Sequence, residues 1–380
     1  MRRILVYCPV TLGGIYDYTL EQSRALAAAG IEVTLLTVNT VELSNGIRVV
    51  PALQPESDSG CGRWVRLARM AHRIHSNFVL LRRHIIKHDH RQVLMSTYSE
   101  YGAPLWAPPL ASLARRGVRF GAILHDPLRT YRVGPPWFHQ WSIQSGYSYL
   151  RDVFVHDPIS RAEAGIPAHV QVTVVPHGPY QFPLPPVGER LDIRAQMGIP
   201  DDAKVVLSFG QIRAGKNLHL VIEALADFPD LWLLVAGQES GGGAPLLPQY
   251  QEMAVRWGVA RRCRWHQGFV PAAQVGAYFE AADLVLLTYS RHFRSASGVL
   301  NTAVAYQRPC LASSGPGALC SQTAKYGLGI WVEPDRADTI REGLARWQAG
   351  IPEPEWEGYR RDNSWEENAG RVAQQMFGTP

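Results

Sequence analysis

The sequence lacks the marks of several protein classes. Its five cysteines are scattered and no two have CxxC spacing, which argues against a disulfide framework or a zinc site and predicts reduced thiols. No stretch of 18 uncharged apolar residues occurs, so we expect no membrane-spanning helix. The apolar run after Arg2 and Arg3 is too short for a signal peptide, and we interpret it as the first strand of a cytoplasmic protein.

Acidic residues are scarce where a metal-dependent enzyme would need them. We find no DxD-like acidic metal site, so no bound metal is expected, and the segment from Ser295 to Gly315 contains a single charged side chain, Arg308. Hydrophobic residues make up 46% of the chain and charged residues 19%, which is typical of a globular protein. A length of 380 residues exceeds one ordinary core and predicts two domains.

The first half of the chain alternates strand-like and helix-like segments. The run ILVYCPV is followed by a glycine turn, a helix-like segment that ends at Gly30, and a second strand-like run, IEVTLLTV. A β-α-β unit of this kind belongs to a doubly wound parallel sheet. Further strand-like runs are QVLMST, VRFGAILHD, RDVFVHD and VQVTVVPHG.

The alternation stops at PYQFPLPP, whose proline density predicts an interdomain linker, and then begins again. The later strand-like runs are KVVLSFGQI, LWLLVAGQ, DLVLLTYS, RPCLASSG and GLGIWVEP. We therefore predict an α/β fold with two Rossmann-like, doubly wound domains, at residues 1–180 and 187–355. Ligands of such sheets bind beyond the carboxyl ends of the strands, so the loops there are the candidate sites.

Two cations follow the strand that ends at Gly210. Arg213 and Lys216 precede a helix that is predicted to start near Asn217. Cations beside a helix N-terminus favour an anion, and this pair would cradle a diphosphate and stabilise it as a leaving group. The alternative is a pair of solvated surface cations.

Two further loops offer backbone to a ligand. Residues 295–298 are small and precede a helix that is predicted to start near Val299, whose first N–H groups lack partners within the helix. Gly13 and Gly14 form a turn after the first strand. Because GxGxxG is absent and no acidic residue ends the second strand, a plain dinucleotide site is disfavoured. A tight turn alone is the alternative for this glycine pair.

Three histidines come at the ends of strand-like runs: His125, His156 and His177. A histidine at this position would hydrogen-bond a sugar hydroxyl or take part in proton transfer. The alternative is a strand-end residue satisfied within the protein, and it is the stronger interpretation for His156. The three are not spaced as metal ligands.

Residues 61–91 form a basic amphipathic segment in which apolar residues, among them Leu67 and Phe78, recur at helical spacing. Its cations are Arg63, Arg66, Arg69, Arg73, Arg82, Arg83, Lys87 and Arg91, against one acid, Asp89. One interpretation is the solvated face of a helix packed on the sheet, and the other is docking of the region Arg63–Arg83 to an anionic membrane surface or an acidic acceptor. No aromatic residues interleave a basic groove, so nucleic acid is not expected as a partner.

In order, the segments resemble family 4 retaining glycosyltransferases of the GT-B fold over nearly the whole chain. The matching segments are LGGIYDYTLEQSRALAAAGIEVTLLT, LHDP, VVPHG, FGQIRAGKNLHLVIEAL, LLVAGQ, HQGFVPAAQVGAYFEAADLVLLTYS, SGVLNTAVAYQRPCLAS and GLGIWVEP. The resemblance implies two domains that face each other across a cleft, with a C-terminal helix at 360–380 that crosses back onto the first domain.

The resemblance also implies roles for residues. A nucleotide-sugar donor would bind mainly to the second domain, without a metal or cofactor, because cations and helix dipoles offset the leaving charge. The implied contacts are Arg213 and Lys216 for the diphosphate beside Gly210, the backbone of Ser297, Gly298 and Val299 for phosphate, Phe269 and Val270 for the base, Gly13 and Gly14 as the N-terminal glycine loop, and His125 as the cleft histidine.

The chain departs from the family at two positions. Most members have two glutamates that contact the donor sugar and the ribose, and the corresponding residues here are Arg294 and Thr302. The segment resembles a divergent branch that keeps the fold and the loop. Arg294, Asn301 and Thr302 are the candidates to replace the missing contacts.

Three functions remain as hypotheses. The first is transfer of a sugar, with retention, from a UDP- or GDP-sugar to a saccharide or lipid-linked saccharide, as in polysaccharide or cell-envelope biosynthesis. The second is a catalytically inactive protein that binds a nucleotide or glycan, as the missing carboxylates suggest. The third is a sugar-nucleotide epimerase on the same scaffold, which would form product without an acceptor.

Overall fold

The computed structural model describes residues 2–39, 46–55, 62–97, 100, 102–129, 132, 134–180, 182, 192–239 and 246–378. Two compact units are formed, one by Met1–His177 with Asn363–Pro380 and the other by Gly178–Asp362. Each unit contains one sheet in which all described strand pairs are parallel. The predicted α/β fold with two Rossmann-like parallel sheets is therefore confirmed.

The first unit contains a seven-stranded sheet in the order β3-β2-β1-β4-β5-β6-β7. Its strands are β1 (Arg3–Cys8), β2 (Glu32–Thr37), β3 (Ile47–Pro51), β4 (Gln92–Met95), β5 (Arg119–Ile123), β6 (Asp152–Val155) and β7 (Gln171–Val174). Its helices are α1 (Gly14–Ala28), α2 (Arg63–His88), α3 (Ala103–Arg115), α4 (Pro136–Tyr147), α5 (Arg161–Ala164) and, at the end of the chain, α14 (Trp365–Phe377).

The second unit contains a six-stranded sheet in the order β10-β9-β8-β11-β12-β13. Its strands are β8 (Lys204–Phe209), β9 (Leu231–Gly237), β10 (Cys263–Gln267), β11 (Leu284–Thr288), β12 (Cys310–Ser313) and β13 (Gly329–Trp331). Its helices are α6 (Ile193–Met197), α7 (Leu218–Ala224), α8 (Leu246–Arg256), α9 (Ala272–Glu280), α10 (Gly298–Ala305), α11 (Ala318–Lys325), α12 (Ala337–Gln348) and α13 (Trp356–Asp362). Short 3-10 turns lie at Ala214–Lys216, Leu225–Asp227 and Ala260–Arg262.

The sequence patterns identify the central strands and miss one edge strand in each sheet. β1 and β11 are apolar runs with almost every residue buried. β3 has no fully buried residue and β10 has only one, because each pairs with a neighbour on one side only. Without a continuous apolar run, these edge strands carry no strong strand signal.

The amphipathic helix α2 is buried over only part of its length. Phe78, Leu81 and Ile85 lie in the core of the first unit. In contrast, Leu67 is exposed, although its spacing placed it on the apolar face, and so are Val65 and Met70. The side chains of Arg63 and Trp64 lie outside the described residues. Among the described helices, none is long and apolar enough to cross a membrane.

Candidate active site

Tyr18, in α1, lies at the centre of an aromatic cluster at the carboxyl edge of the first sheet. His125, His156 and His177 follow β5, β6 and β7, and because these strands are parallel their ends meet at one edge. The Tyr18 ring centroid lies 4.9, 5.2 and 5.1 Å from those of the three histidines. Trp365, from α14, lies 4.9 Å away on the same ring. The structure thus brings together the three histidines that the sequence singled out, around a tyrosine that it did not.

The hydrogen bonds of two of these histidines fix their tautomers. His125 Nε2 lies 3.0 Å from the carbonyl oxygen of Ser96, and because a carbonyl only accepts, we assign the proton to this nitrogen. Burial and then His177 lower the pKa of His125 to about 4, so the ring is neutral near pH 7 and its Nδ1 is an acceptor. By the same argument His156 donates from Nδ1 to Val175 O at 3.2 Å, and burial lowers its pKa to about 3. A neutral His125 can accept a hydrogen bond from a hydroxyl at Nδ1.

The last helix fastens this cluster. The fully buried Asn368 amide donates from Nδ2 to the Tyr18 hydroxyl and to Pro176 O, each at 2.7 Å. Gln22 donates to Asn368 Oδ1 at 2.8 Å, so α14 is joined to α1 by a buried polar network. Burial raises the pKa of Tyr18 far above its ordinary value, which keeps the hydroxyl neutral.

The predicted glycine turn lies at the start of α1. Gly13 has φ 86° and ψ −177°, a conformation that is essentially restricted to glycine. A Cβ atom at Gly13 would meet no atom within 4 Å. The glycine is therefore required by the backbone rather than by crowding, and Gly14 begins the helix.

Lys216 lies in the 3-10 turn after β8 rather than in an open loop. It is only 9% exposed, and its ammonium donates to the carbonyl oxygen of Phe209, the last residue of β8. Burial and then Arg213 lower the pKa of Lys216 to about 7. Lys216 is therefore not a solvated surface cation. Because burial disfavours the charged form of Lys216, an anion bound beside it would stabilise the ammonium.

Gly210 is the point at which the predicted phosphate contacts meet. Lys216 Nζ and Val299 Cγ2 lie 3.6 and 3.8 Å from the position that a Cβ atom on Gly210 would take. The helix α10 begins at Gly298, one residue before the predicted start, and Ser297 caps it by accepting a hydrogen bond from Leu300 N at 3.3 Å. A Cβ atom would make only ordinary contacts here, so glycine is required at this position by its positive φ of 85°.

Two aromatic rings lie beside Arg213, the other cation of the loop after β8. Arg213 is exposed, and its guanidinium carbon lies 5.9 and 5.7 Å from the ring centroids of Tyr289 and Phe293. Tyr289 also places its hydroxyl 3.2 Å from Ser297 Oγ. These contacts hold the Arg213 side chain against a second loop, the one that precedes α10.

Asp335 connects three loops of the second unit. Its carboxylate accepts hydrogen bonds from Asn217 Nδ2 at 2.9 Å, from Arg291 Nε at 2.8 Å and from Arg291 N at 3.1 Å. Asp335 and Asn217 both have positive φ angles, 65° and 53°, which non-glycine residues rarely adopt. The carboxylate therefore fastens the residue after Lys216 to the loop that contains Tyr289 and Phe293.

The three candidates for the missing carboxylates differ in their surroundings. Arg294 is exposed and donates from Nε to Pro316 O at 3.2 Å. Thr302 is buried, and its hydroxyl donates to Gly298 O at 3.0 Å within α10. Asn301 is buried and accepts a hydrogen bond from the Tyr359 hydroxyl at 2.8 Å, which ties α10 to α13. Of the three, Arg294 is the one whose side chain extends into solvent.

The residues predicted to contact the base lie after β10. Phe269 is 44% exposed, and Val270 is buried in the core of the second unit. An exposed aromatic ring on a loop can stack on a base, whereas Val270 supports the loop from below. Among the described residues, no group of three or more His, Cys, Asp or Glu side chains could hold a metal ion.

Comparison with known proteins agrees with this geometry. The family model for "Glycosyl transferases group 1" matches residues 189–355, which lie within the second unit. A D-inositol 3-phosphate glycosyltransferase of Mycobacteroides abscessus is 30% identical over 172 residues, which is 43% of this chain and 37% of the relative. The match therefore spans well under half the length of this curated relative.

Solved glycosyltransferases share the fold over the whole chain. Sucrose-phosphate synthase from Thermosynechococcus elongatus superposes with a TM-score of 0.74 and 19% identity, covering 99% of both chains. Anabaena HepE, in complex with UDP and glucose, superposes with a TM-score of 0.64 and 17% identity, covering 99% of this chain and 96% of that one. The resemblance to family 4-like glycosyltransferases and the GT-B fold are thus confirmed.

Proposed function

We propose that this chain is a retaining glycosyltransferase that transfers a sugar from a nucleotide-sugar donor to a saccharide acceptor. The observation that carries the proposal is the buried ammonium of Lys216 beside Gly210 and the start of α10. A buried cation and a helix N-terminus beside one glycine, with an exposed arginine on the same loop as the cation, fit the diphosphate of such a donor. The match of the second unit to the group 1 glycosyl transferases supports this assignment.

The donor in this proposal is a UDP-sugar, with a GDP-sugar as the second candidate. HepE, which shares the fold, was solved in complex with UDP and glucose, and this supports a uridine nucleotide. Phe269 would stack on the base, and the Ser297–Val299 backbone would contact phosphate. Arg294 is the candidate to contact the donor sugar in place of a carboxylate.

The proposed reaction needs no metal ion. The bond between the anomeric carbon and the β-phosphate oxygen breaks while the acceptor oxygen attacks on the same face, and the departing phosphate takes the acceptor proton. Lys216, Arg213 and the α10 N-terminus would stabilise the charge that develops on the leaving diphosphate. His125 would accept a hydrogen bond from a sugar hydroxyl at its neutral Nδ1.

The first experiment measures thermal stabilisation by UDP, GDP, TDP and their sugars. One nucleotide class should raise the melting temperature of the wild-type chain, because a ligand that binds only the folded state stabilises it. Lys216→Ala should abolish that rise. Lys204→Ala is the matched control, since Lys204 is an exposed lysine at the opposite end of β8. Equal shifts in all three proteins would show that the donor site is assigned wrongly.

A catalytically inactive binding protein is the second candidate, because Arg294 and Thr302 correspond to the two glutamates of the family that the sequence resembles. This candidate predicts nucleotide binding that depends on Lys216 without sugar transfer to any acceptor. Detectable transfer or donor hydrolysis, lost in Lys216→Ala, rules it out. The epimerase hypothesis predicts a new nucleotide sugar when the protein is incubated with donor alone, which chromatography of the nucleotide pool detects.

We further propose that the acceptor is lipid-linked and that the chain works on the cytoplasmic face of an anionic membrane. Val65, Leu67 and Met70 are exposed on the first half of α2, beside the basic residues Arg66 and Arg69. A groove of about 460 Å³ lies along this half of the helix against Gln54 and Pro55. Exposed apolar side chains with flanking arginines suit an anionic lipid surface.

Vesicle sedimentation tests the membrane proposal. Arg66→Gln/Arg69→Gln should weaken binding to anionic vesicles more than Arg82→Gln/Arg83→Gln, which removes the same charge from the half of α2 that packs on the core. Binding should also fall as salt rises. Equal sedimentation with neutral and anionic vesicles would contradict the proposal.

A further inference from the structure

A cavity at the amino edge of the first sheet combines several cations with no carboxylate on its described wall. It has a volume of about 490 Å³ and lies between the end of α3 and the first residues of β5, β6 and β7. Arg115, Arg119, Arg151 and His169 line it, and none of its described lining residues is aspartate or glutamate. Small-molecule sites typically have roughly 300–1,000 Å³, so the cavity is large enough for a ligand.

One of these cations is already neutralised. Arg119 donates from Nε and Nη2 to the two carboxylate oxygens of Asp152, at 2.7 and 3.0 Å. Asp152 is fully buried and also accepts a hydrogen bond from Gln375 at 2.6 Å. Asp152 therefore neutralises Arg119, and the net positive charge of the cavity comes from its other cations.

Another arginine near this edge of the unit, Arg161, is occupied by a main-chain carbonyl. It donates to Val170 O, just before β7, at 2.8 Å. In the part of the chain that the structure describes, the exposed side chains of Arg115 and Arg151 have neither a hydrogen bond nor an ion pair. Both of these residues line the same concave surface.

We propose that this cavity binds a phosphate group, carried by a free phosphomonoester or by a lipid headgroup, with Arg115 and Arg151 as its ligands. Guanidinium groups present paired N–H donors that match phosphate oxygens, and they keep their charge at every physiological pH. His169, which also lines the cavity, adds an imidazole N–H donor at the rim. The absence of a carboxylate from the described wall leaves the phosphate charge unopposed.

This site is separate from the proposed donor site. The donor contacts lie in the second unit, and the cavity lies in the first. Even within the first unit, Arg119 begins β5 and His125 follows its end, so roughly 20 Å of extended chain separates the cavity from the histidine cluster. The phosphate site therefore does not depend on the proposed glycosyltransferase activity.

Calorimetric titration of the full chain with glycerol 3-phosphate tests the soluble form of the ligand. Sedimentation with phosphatidylcholine vesicles, with and without phosphatidic acid, tests the headgroup. Arg115→Gln/Arg151→Gln should weaken binding of at least one probe by about tenfold or more, because two charge-assisted contacts are lost. The exposed neighbour Arg116, which does not line the cavity, provides the matched control as Arg116→Gln.

Two further measurements distinguish the cavity from the proposed donor site. Lys216→Ala should leave glycerol 3-phosphate binding intact, and Arg115→Gln/Arg151→Gln should leave the thermal shift by UDP intact. Loss of calorimetric binding identifies a free phosphomonoester, and loss of vesicle binding alone identifies a headgroup. The proposal is overturned if the wild-type chain binds neither probe, or if the double variant and Arg116→Gln bind both equally well.

Discussion

The carboxyl edges of the two sheets are built in different ways. In the first unit, buried side chains hold the edge from beneath: Tyr18 contacts three histidines, and Asn368 ties its hydroxyl to α14. In the second unit, loops form the edge, and Asp335 fastens them together from the surface. A buried network supplies stability as well as position, whereas a surface link between loops mainly supplies position. Substitutions should therefore separate folding from ligand binding between the two units.

The largest effect is expected from Asn368→Leu. This change removes a buried amide that donates to Tyr18 and to Pro176 O and that accepts from Gln22. The Tyr18 hydroxyl keeps only its longer contact with Gln22 at 3.3 Å, and each buried group left without a partner costs about 1–3 kcal/mol. We expect the first unit to lose roughly 3 kcal/mol of unfolding free energy in urea, while the second unit keeps its thermal shift by nucleotide. Gln374→Leu, on an exposed position of the same helix, is the control and should change stability little.

Hydrogen exchange locates the loss. Faster exchange in α1 and β7 with unchanged exchange in β8 and α10 is the expected pattern. Equal destabilisation of both units, or a lost nucleotide response, would show that the buried network is not confined to the first unit.

The second expected effect is a pH dependence of donor binding that resides in the second unit. Lys216 has a pKa of about 7 without a ligand, and a diphosphate favours its protonated form. Binding therefore takes up a proton above pH 7, and affinity should be constant below pH 7 and fall above it by up to about tenfold per pH unit. His125, with a pKa of about 4, stays neutral throughout and adds nothing.

Titration with UDP-glucose between pH 6 and 9 by calorimetry measures this effect, because its diphosphate has no ionisation in that range. Lys216→Arg is the sharpest control, since a guanidinium keeps its charge. This variant should bind with a flat pH profile whatever its affinity. A fall of the same steepness in both proteins would assign the titration to another group.

The fold could be predicted from the sequence more fully than the residues that hold the site in place. Strand-end histidines and the cations after β8 could be identified because a parallel sheet brings strand ends to one edge. Tyr18 and Asp335 could not, because their partners lie far along the chain: Asn368 is 350 residues from Tyr18, and Asn217 is 118 residues from Asp335. Burial of Lys216 was also hidden, since its carbonyl partner depends on the 3-10 turn. Local patterns thus predict which loops matter, and tertiary contacts decide which residues hold them.

The smallest effect is expected from Asp335→Gly. Glycine accepts the positive φ of 65° at no steric cost, and this gain of about 1 kcal/mol offsets part of the loss of a partly exposed ion pair and of the Asn217 hydrogen bond, so the melting temperature should fall only slightly. Without the carboxylate, Asn217 and Arg291 are no longer tied. The turn that carries Lys216 keeps its direct hydrogen bonds from Ser290 N to Gly215 O and from Thr288 Oγ1 to Lys216 O, each at 2.9 Å, but loses the link through Asp335. Affinity for UDP should then fall about threefold to tenfold, which corresponds to roughly 1 kcal/mol. Asp338→Asn removes the neighbouring ion pair with Arg336, which joins no loops, and should leave affinity unchanged. If Asp335→Gly lowers the melting temperature without affecting UDP affinity, Asp335 stabilises the fold and the two edges do not differ in the way described.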